Sequence, residues 1–282
     1  MITSPINRLL LIISGILIVS ISGCSSPQQK VTVSISGRST GSGFIVAKSN
    51  DTYYVLTSKH VVGIPPGQID DKYKVKTFDG REYEINYEKL RPDSKFDLAI
   101  IEFTAKGKNY TVATISNLES LPKGITVYIS GWKDCLKERK YEFNEGKVSK
   151  ILLSKSDISK ISDDPDYKEE DYNEGYIVNY TNPTIRGMSG SPVFDKKGRV
   201  VAIHGKPGHD KENPAILTKC PALDESFGNN WGIPIKNFLK SSIASNLQLK
   251  IDQSAGELQT SPTTSNGNKQ PEPSGDIFKR PE

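Results

Sequence analysis

Long apolar runs are missing from this chain. The longest, residues 9–21, has 13 positions, too few for a comfortable membrane span. No basic run carries interleaved aromatics, and the net charge of +4 is spread along the 282 residues. A nucleic-acid partner is therefore not expected. No internal repeat of solenoid length occurs. No long amphipathic helix precedes "IKNFLKSSIASNL" at 235–247. Histidine is scarce, with His60, His204 and His209 the complete set, so any imidazole chemistry has few places to reside. Only 35% of residues are apolar and 8% aromatic, yet about 200 residues of mixed pattern suffice for a sizeable core.

What is present begins with a processing signal. Arg8, the apolar run and then Ser22, Gly23 and Cys24 have the three regions of an export signal. The ending "ISGC" resembles the bacterial lipobox. The resemblance implies a signal peptide over 1–23 and lipid modification of Cys24, such as palmitate, which would anchor the exported domain to a bacterial membrane without a transmembrane helix. Residues 24–30 then read as a tether. Cys135 and Cys220 form an even pair in an oxidising compartment. A disulfide across the 84 intervening residues and two separately buried thiols both remain open.

From Val31 onward the pattern is short and β-rich. "VTVSIS" alternates, and "GSGFIVA", "TYYVLTS", "LAIIEF" and "GRVVAIHGK" are apolar runs bounded by turn residues. Strands at this spacing predict an all-β barrel or sandwich. Residues 157–174 hold eight acidic and two basic residues and read as an exposed, solvated loop. They lack the glycine and terminal glutamate of an EF-hand calcium loop. Residues 248–282 are polar and poor in large apolar groups, the composition of a disordered tail.

One stretch, "IRGMSGSPVFD", gathers glycines around Ser189. A serine hydroxyl becomes a nucleophile when a base takes its proton, and the base needs a carboxylate to orient it. His60 follows an apolar strand in "YYVLTSKHVVG", and Asp97 stands at the mouth of another in "KFDLAII". Asp93 lies close enough in sequence to be the alternative carboxylate. Acyl transfer also needs backbone N–H groups aimed at a developing oxyanion. Gly187 and Gly190 give the chain freedom to turn them, so the amides of Gly187 and Ser189 are the expected oxyanion hole. Met188 reads as space-filling, and His209 as exposed in a turn.

"TSKHVV", "FDLAII" and "GMSGSPV", in this order and at spacings of 37 and 92 residues, resemble the trypsin-like (chymotrypsin-fold) serine proteases. The resemblance runs over residues 31–247. It implies two six-stranded antiparallel β-barrels, about 31–118 and 119–247, with a C-terminal helix. It also implies a serine endopeptidase using His60, Asp97 and Ser189 with no cofactor or metal, on protein or peptide substrates, in a monomer. Within that family the sequence is similar to the bacterial glutamyl endopeptidases. That subgroup implies a specificity pocket with His204 and Thr184, hence cleavage after Glu or Asp. Met188 departs from the aspartate that many trypsin relatives carry before the nucleophile. Other readings on the same barrels are a non-catalytic lipoprotein binding module, an HtrA-like quality-control protease, and an esterase.

Overall fold

The computed structural model describes residues 25–63, 72–135, 138–161, 164–208, 220 and 222–254. Cys24 and His209, both singled out above, lie outside the described residues. Seven strands make the first half: β1 (Thr32–Ser36), β2 (Thr40–Ser49), β3 (Thr52–Thr57), β4 (Lys74–Lys76), β5 (Glu82–Glu84), β6 (Arg91–Pro92) and β7 (Ala99–Thr104). They form one curled sheet in the order β5-β4-β1-β2-β3-β7-β6. Its final strand is two residues long and contains Pro92, which has no N–H to extend the ladder.

The second half contains β8 (Thr114–Ser116), β9 (Thr126–Asp134), β10 (Arg139–Ile151), β11 (Val178–Tyr180), β12 (Pro192–Phe194), β13 (Val200–Lys206), β14 (Asn230–Pro234) and β15 (Lys250–Asp252). Strands β12-β9-β10-β11-β14-β13 follow one another, and a β12–β13 pairing closes them into a six-stranded barrel. The all-β, chymotrypsin-like expectation holds, with one closed barrel and one curled sheet. Two pairings depart from the antiparallel rule: β8 runs parallel to both β13 and β15.

Why these segments are strands follows from their burial. Along β3 and β7, Tyr53, Val55, Ile101 and Phe103 face the core of the first half, with Val33, Ile35 and Ile45 from β1 and β2. A second cluster, including Met188, Val127, Ile129 and Val193, fills the closed barrel; Met188 is fully buried and fills space as expected. A third cluster, with Phe44, Leu56, Trp231 and Phe238, lies where the two halves meet. At roughly 1.5–3 kcal/mol for each large apolar side chain buried, that shared cluster makes docking of the halves a large part of the fold's stability.

Three boundaries move from those read in the sequence. The tether of 24–30 is helical from Pro27, where α1 (Pro27–Val31) is capped by the Ser26 side chain accepting from the Gln29 N–H. The disordered tail does not start at 248, because Ile251 of β15 pairs with Ile115 and Leu249 and Ile251 pack on the central cluster. The C-terminal helix is one short turn, α3 (Ile235–Leu239), followed by a 3₁₀ turn at Ser242–Ala244. Another short helix, α2 (Glu169–Asn173), lies in the acidic segment. Cys135 and Cys220 are joined as a disulfide with Cα atoms 4.8 Å apart.

Candidate active site

His60 sits in a 3₁₀ turn, Lys59–Val61, directly after β3. Asp97 precedes β7, and the β3–β7 ladder sets Thr57 opposite Ala99. Adjacent strands thus deliver both residues to one end of the sheet. Asp97 Oδ2 lies 2.6 Å from His60 Nδ1, and Asp97 Oδ1 accepts the His60 backbone N–H at 2.9 Å. The nearby carboxylate weighed above, Asp93, is otherwise engaged: its Oδ1 accepts the N–H groups of Lys95 and Phe96 and so builds the turn that presents Asp97.

Electrostatics reinforce this pair. Burial pulls the His60 pKa down, but the hydrogen bond and charge of Asp97, with the charge of Glu174, outweigh it and leave the imidazole above its ordinary 6.5. Burial pushes Asp97 up, while the hydrogen bond and charge of His60 and the hydroxyl of Tyr176 bring it below the usual carboxylate value. With Asp97 buried and ionised, the proton of the neutral imidazole stays on Nδ1 and Nε2 is the free base. The His60 side chain is 47% exposed, open to an incoming molecule.

Ser189 lies in the loop between β11 and β12. Its carbonyl accepts the N–H of Ser42 on β2 at 2.7 Å, and the next amide, Gly190, donates to the His204 carbonyl at 2.7 Å. The first half of the fold therefore holds the nucleophile candidate from one side and β13 from the other. Gly190 has φ +86°, and a Cβ there would sit 2.0 Å from the Ser42 carbonyl oxygen, so no other residue fits. The Ser189 hydroxyl donates to the Gly205 carbonyl at 3.3 Å and makes no hydrogen bond to His60. Gly205 occupies a register shift of the β13–β14 ladder, a bulge of the kind that re-aims groups beside active sites.

The loop ahead of Ser189 carries two free donors. Asp134 donates its backbone N–H to the Arg186 carbonyl at 2.9 Å. In a trans peptide the N–H points opposite the C=O, so the Gly187 N–H faces away from Asp134. Gly187, at φ +89°, has its own carbonyl bound by Ser42 Oγ at 2.9 Å and Arg139 Nη2 at 2.7 Å. Among the described residues neither the Gly187 nor the Ser189 N–H donates to any protein group. Buried or half-buried backbone donors are nearly always paired, so these two amides are open to an acceptor from outside the described residues.

His204 and Thr184 are both buried in the closed barrel. Burial, with the nearby His60 charge, holds His204 neutral, with a pKa pushed down to about 3. Its Nδ1 lies 2.7 Å from the Tyr180 hydroxyl. Among the described residues the Thr184 hydroxyl has no hydrogen-bond partner, while its N–H binds the Phe227 carbonyl at 3.0 Å. No hydrogen bond joins Thr184 to His204.

Several participants were not legible as site residues. Arg139 looks like one more strand cation, yet its guanidinium is enclosed. It reaches Ser34 Oγ, the carbonyls of Ile35, Gly41, Trp132 and Gly187, and Asp134 Oδ1, binding both halves to the Ser189 loop. The acidic segment is not simply solvated. Asp164 and Tyr167 are buried, Asp164 Oδ2 accepts from Trp231 Nε1, and Asp171 pairs with Lys206 at 2.9 Å. The only sequence signal was its tyrosines, since a buried Tyr needs a hydroxyl partner.

Known proteins resemble this chain in sequence and in fold. A model of the trypsin-like peptidase domain matches residues 41–203. Glutamyl endopeptidases of Staphylococcus aureus are similar: that of strain MW2 is 26% identical over 221 residues, covering 73% of this chain and 55% of the relative. That of strain MRSA252 is 25% identical, covering 73% and 50%. The chain spans about half the length of the curated relatives it matches. Among solved structures, Deg5 aligns with a TM-score of 0.51 at 17% identity, over 75% of this chain and 86% of that one. Rv3671c of M. tuberculosis H37Rv, solved in an inactive form, aligns with a TM-score of 0.51 at 15% identity, over 75% and 84%. At such identities these two likenesses speak for the fold alone.

Proposed function

The chain belongs to the trypsin-like peptidase domain family, and on that premise we propose that it is a serine endopeptidase in which Ser189 is the nucleophile, His60 the general base and acid, and Asp97 the orienting carboxylate. The observation that carries this reading is the pair of amides at Gly187 and Ser189 that bind no described protein group, next to a His60–Asp97 pair whose Nε2 is free: Ser189 Oγ donates to the Gly205 carbonyl, and Tyr176, which binds Asp97, is packed against Gly205.

The steps follow from the geometry. The Ser189 hydroxyl leaves the Gly205 carbonyl and turns to His60 Nε2, which takes its proton as Oγ bonds to the substrate carbonyl carbon. Negative charge moves to the carbonyl oxygen and is met by the two amides, a contribution of about 3–4 kcal/mol per donor in comparable sites. The C–N bond breaks as the imidazolium returns its proton to the leaving amine. Water then attacks the acyl-enzyme by the same proton path and frees Ser189. Asp97 stabilises the imidazolium throughout without itself becoming protonated. A fluorophosphonate probe tests the assignment: it should label one residue, Ser189, and a folded chain that never labels would support the non-catalytic binding module instead.

We also propose that Thr184 and His204 receive an acidic substrate side chain beside Ser189. The unpartnered Thr184 hydroxyl and the neutral, Tyr180-oriented imidazole of His204 support it, as does the similarity to glutamyl endopeptidases. A substrate carboxylate would find a hydroxyl donor and the N–H of a neutral imidazole. Peptides with Glu, Asp, Arg or Phe before the scissile bond should separate by roughly 100-fold or more in favour of the acids, and His204→Ala should erase the gap. Equal cleavage of all four by the unaltered chain removes the acidic preference and leaves the peptidase.

Export and lipid attachment at Cys24 complete the proposal, supported by the "ISGC" ending. Cells fed labelled palmitate should incorporate it into the chain and not into Cys24→Ser. Equal incorporation in both would reject anchoring at that residue.

A further inference from the structure

The Asp97 carboxylate has a third partner. Oδ2 accepts the His60 Nδ1–H, and it also accepts the hydroxyl of Tyr176. Tyr176 is buried at 3% exposure, two residues ahead of β11. On its other side it leaves no space at Gly205: a Cβ on that residue would lie 2.2 Å from the tyrosine oxygen. Gly205 is also the residue whose carbonyl receives the Ser189 hydroxyl. One tyrosine oxygen is thus enclosed between the carboxylate that orients the base and the backbone that receives the nucleophile.

The acidic segment holds that tyrosine in place. The Tyr167 hydroxyl donates to the Tyr176 carbonyl, and the Tyr176 N–H donates to the Asp171 carbonyl at 3.0 Å. Tyr167 packs on Trp231 with ring centroids 4.3 Å apart, and Trp231 is bonded through Nε1 to Asp164. The same segment reaches Asp97 a second time, where the Asp97 N–H donates to the Glu174 carbonyl at 3.1 Å.

We propose that Tyr176 is a positioning residue for the His60–Asp97 pair, acting through the shared oxygen Oδ2, and that residues 164–176 form its mount. The inference rests on the serine-peptidase reading of this site. Two donors on one carboxylate oxygen divide its charge, so the tyrosine hydroxyl fixes the direction of the carboxylate and moderates its pull on the imidazole proton. Removing a hydrogen bond to an ionised carboxylate concentrates its charge and favours the imidazolium. Tyr176→Phe should therefore raise the His60 titration midpoint, while a stronger donor in the same place should lower it.

The other groups facing this pair are the charges of Glu174 and Lys59, the neutral His204 and the hydroxyl of Ser58. All remain when residue 176 is changed, so a difference in titration reports the Tyr176 hydroxyl. Burial and the neighbouring Asp97 charge keep that hydroxyl protonated.

The experiment is an NMR titration of His60 in the full chain, its resonances assigned by their loss in His60→Gln. The unaltered chain is compared with Tyr176→Phe and with 3-fluorotyrosine placed at 176, a stronger donor of nearly the same shape. The expected result is an upward move of about half a pH unit for phenylalanine and a downward move for fluorotyrosine. The acidic limb of kcat/KM should follow each midpoint, because the base must be neutral to act. For Tyr176→Phe, kcat should fall about 10-fold with KM unchanged. Midpoints that stay fixed while only the melting temperature falls would make Tyr176 a packing residue and overturn the proposal. Should the phenylalanine variant not fold, the fluorotyrosine chain decides the matter by whether its midpoint moves. The titration needs no turnover, so a chain that cuts no peptide fails the peptidase reading without touching this result.

Discussion

Ser189→Ala is expected to lower kcat by about 10⁶-fold and to abolish fluorophosphonate labelling, with KM nearly unchanged. The size follows from what the substitution removes and what it leaves. It deletes the atom that forms the bond to the substrate, while the amides of Gly187 and Ser189 remain, since both are backbone. A residual rate of roughly 10³–10⁴ over water from the oxyanion donors and substrate binding should therefore persist. The fold should hardly notice. The Ser189 side chain makes one hydrogen bond, to the Gly205 carbonyl at 3.3 Å, and the contacts that pin the loop run through its carbonyl to Ser42 and through Gly190 to His204. Kinetics on short peptides, with a melting curve for the same sample, check both parts. Activity that survives at more than a hundredth of the starting rate would remove Ser189 from the mechanism.

Asp97→Asn is the second large effect, with kcat falling about 10⁴-fold. Asp97 accepts from three donors: the His60 N–H on Oδ1, and the His60 Nδ1–H and the Tyr176 hydroxyl on Oδ2. An asparagine has one acceptor oxygen and one NH₂, so at least one donor must face another donor. If the NH₂ turns toward the ring, Nδ1 becomes the acceptor, the proton moves to Nε2, and the base toward Ser189 is lost. If it turns toward the backbone, the His60 N–H is left unpaired, and the turn that carries the imidazole loosens. Both outcomes cost rate, and neither requires an altered fold. The neighbouring Asp93→Asn should act differently, because its Oδ1 supports the turn at Lys95 and Phe96 and does not touch the imidazole. A loss below 10-fold for Asp97→Asn would mean that the carboxylate does not orient the base.

The residues proposed to carry bond-making chemistry were conspicuous in the sequence, and those that hold them in place were not. His60, Asp97 and Ser189 stand at ends of apolar runs, in a fixed order, where turn residues and strand alternation make them conspicuous. Asp97 stood out over Asp93 because it directly precedes an apolar strand, and in the structure it is the one that faces the ring while Asp93 caps the turn. An all-β barrel or sandwich followed from strand rhythm, and the choice of barrels from the family resemblance. The closure of one half, and the seven-strand curl of the other, depends on pairings between segments far apart in the chain, such as β12 with β13, which no local pattern encodes. Composition misled at 157–174: eight carboxylates announced solvent, while Asp164, Tyr167 and Tyr176 go inward and find partners on Trp231, Tyr176 and Asp97. Arg139 was invisible for a related reason. A guanidinium buried among carbonyls from both halves reads, in sequence, as an ordinary charge on a strand. At β15 a three-residue pairing was too short to stand out against a polar tail.

The bond from the Ser42 amide to the Ser189 carbonyl has a consequence for the birth of the molecule. Ser42 is synthesised early, yet its partner follows almost 150 residues later, and Arg139 must also be seated before the loop is braced. A partly made or partly opened chain thus has Ser189 on an unsupported loop. On the peptidase reading proposed above, cutting ability would arise only at the final docking of the halves, and the nascent protein would be harmless to whatever handles it until its own folding is finished.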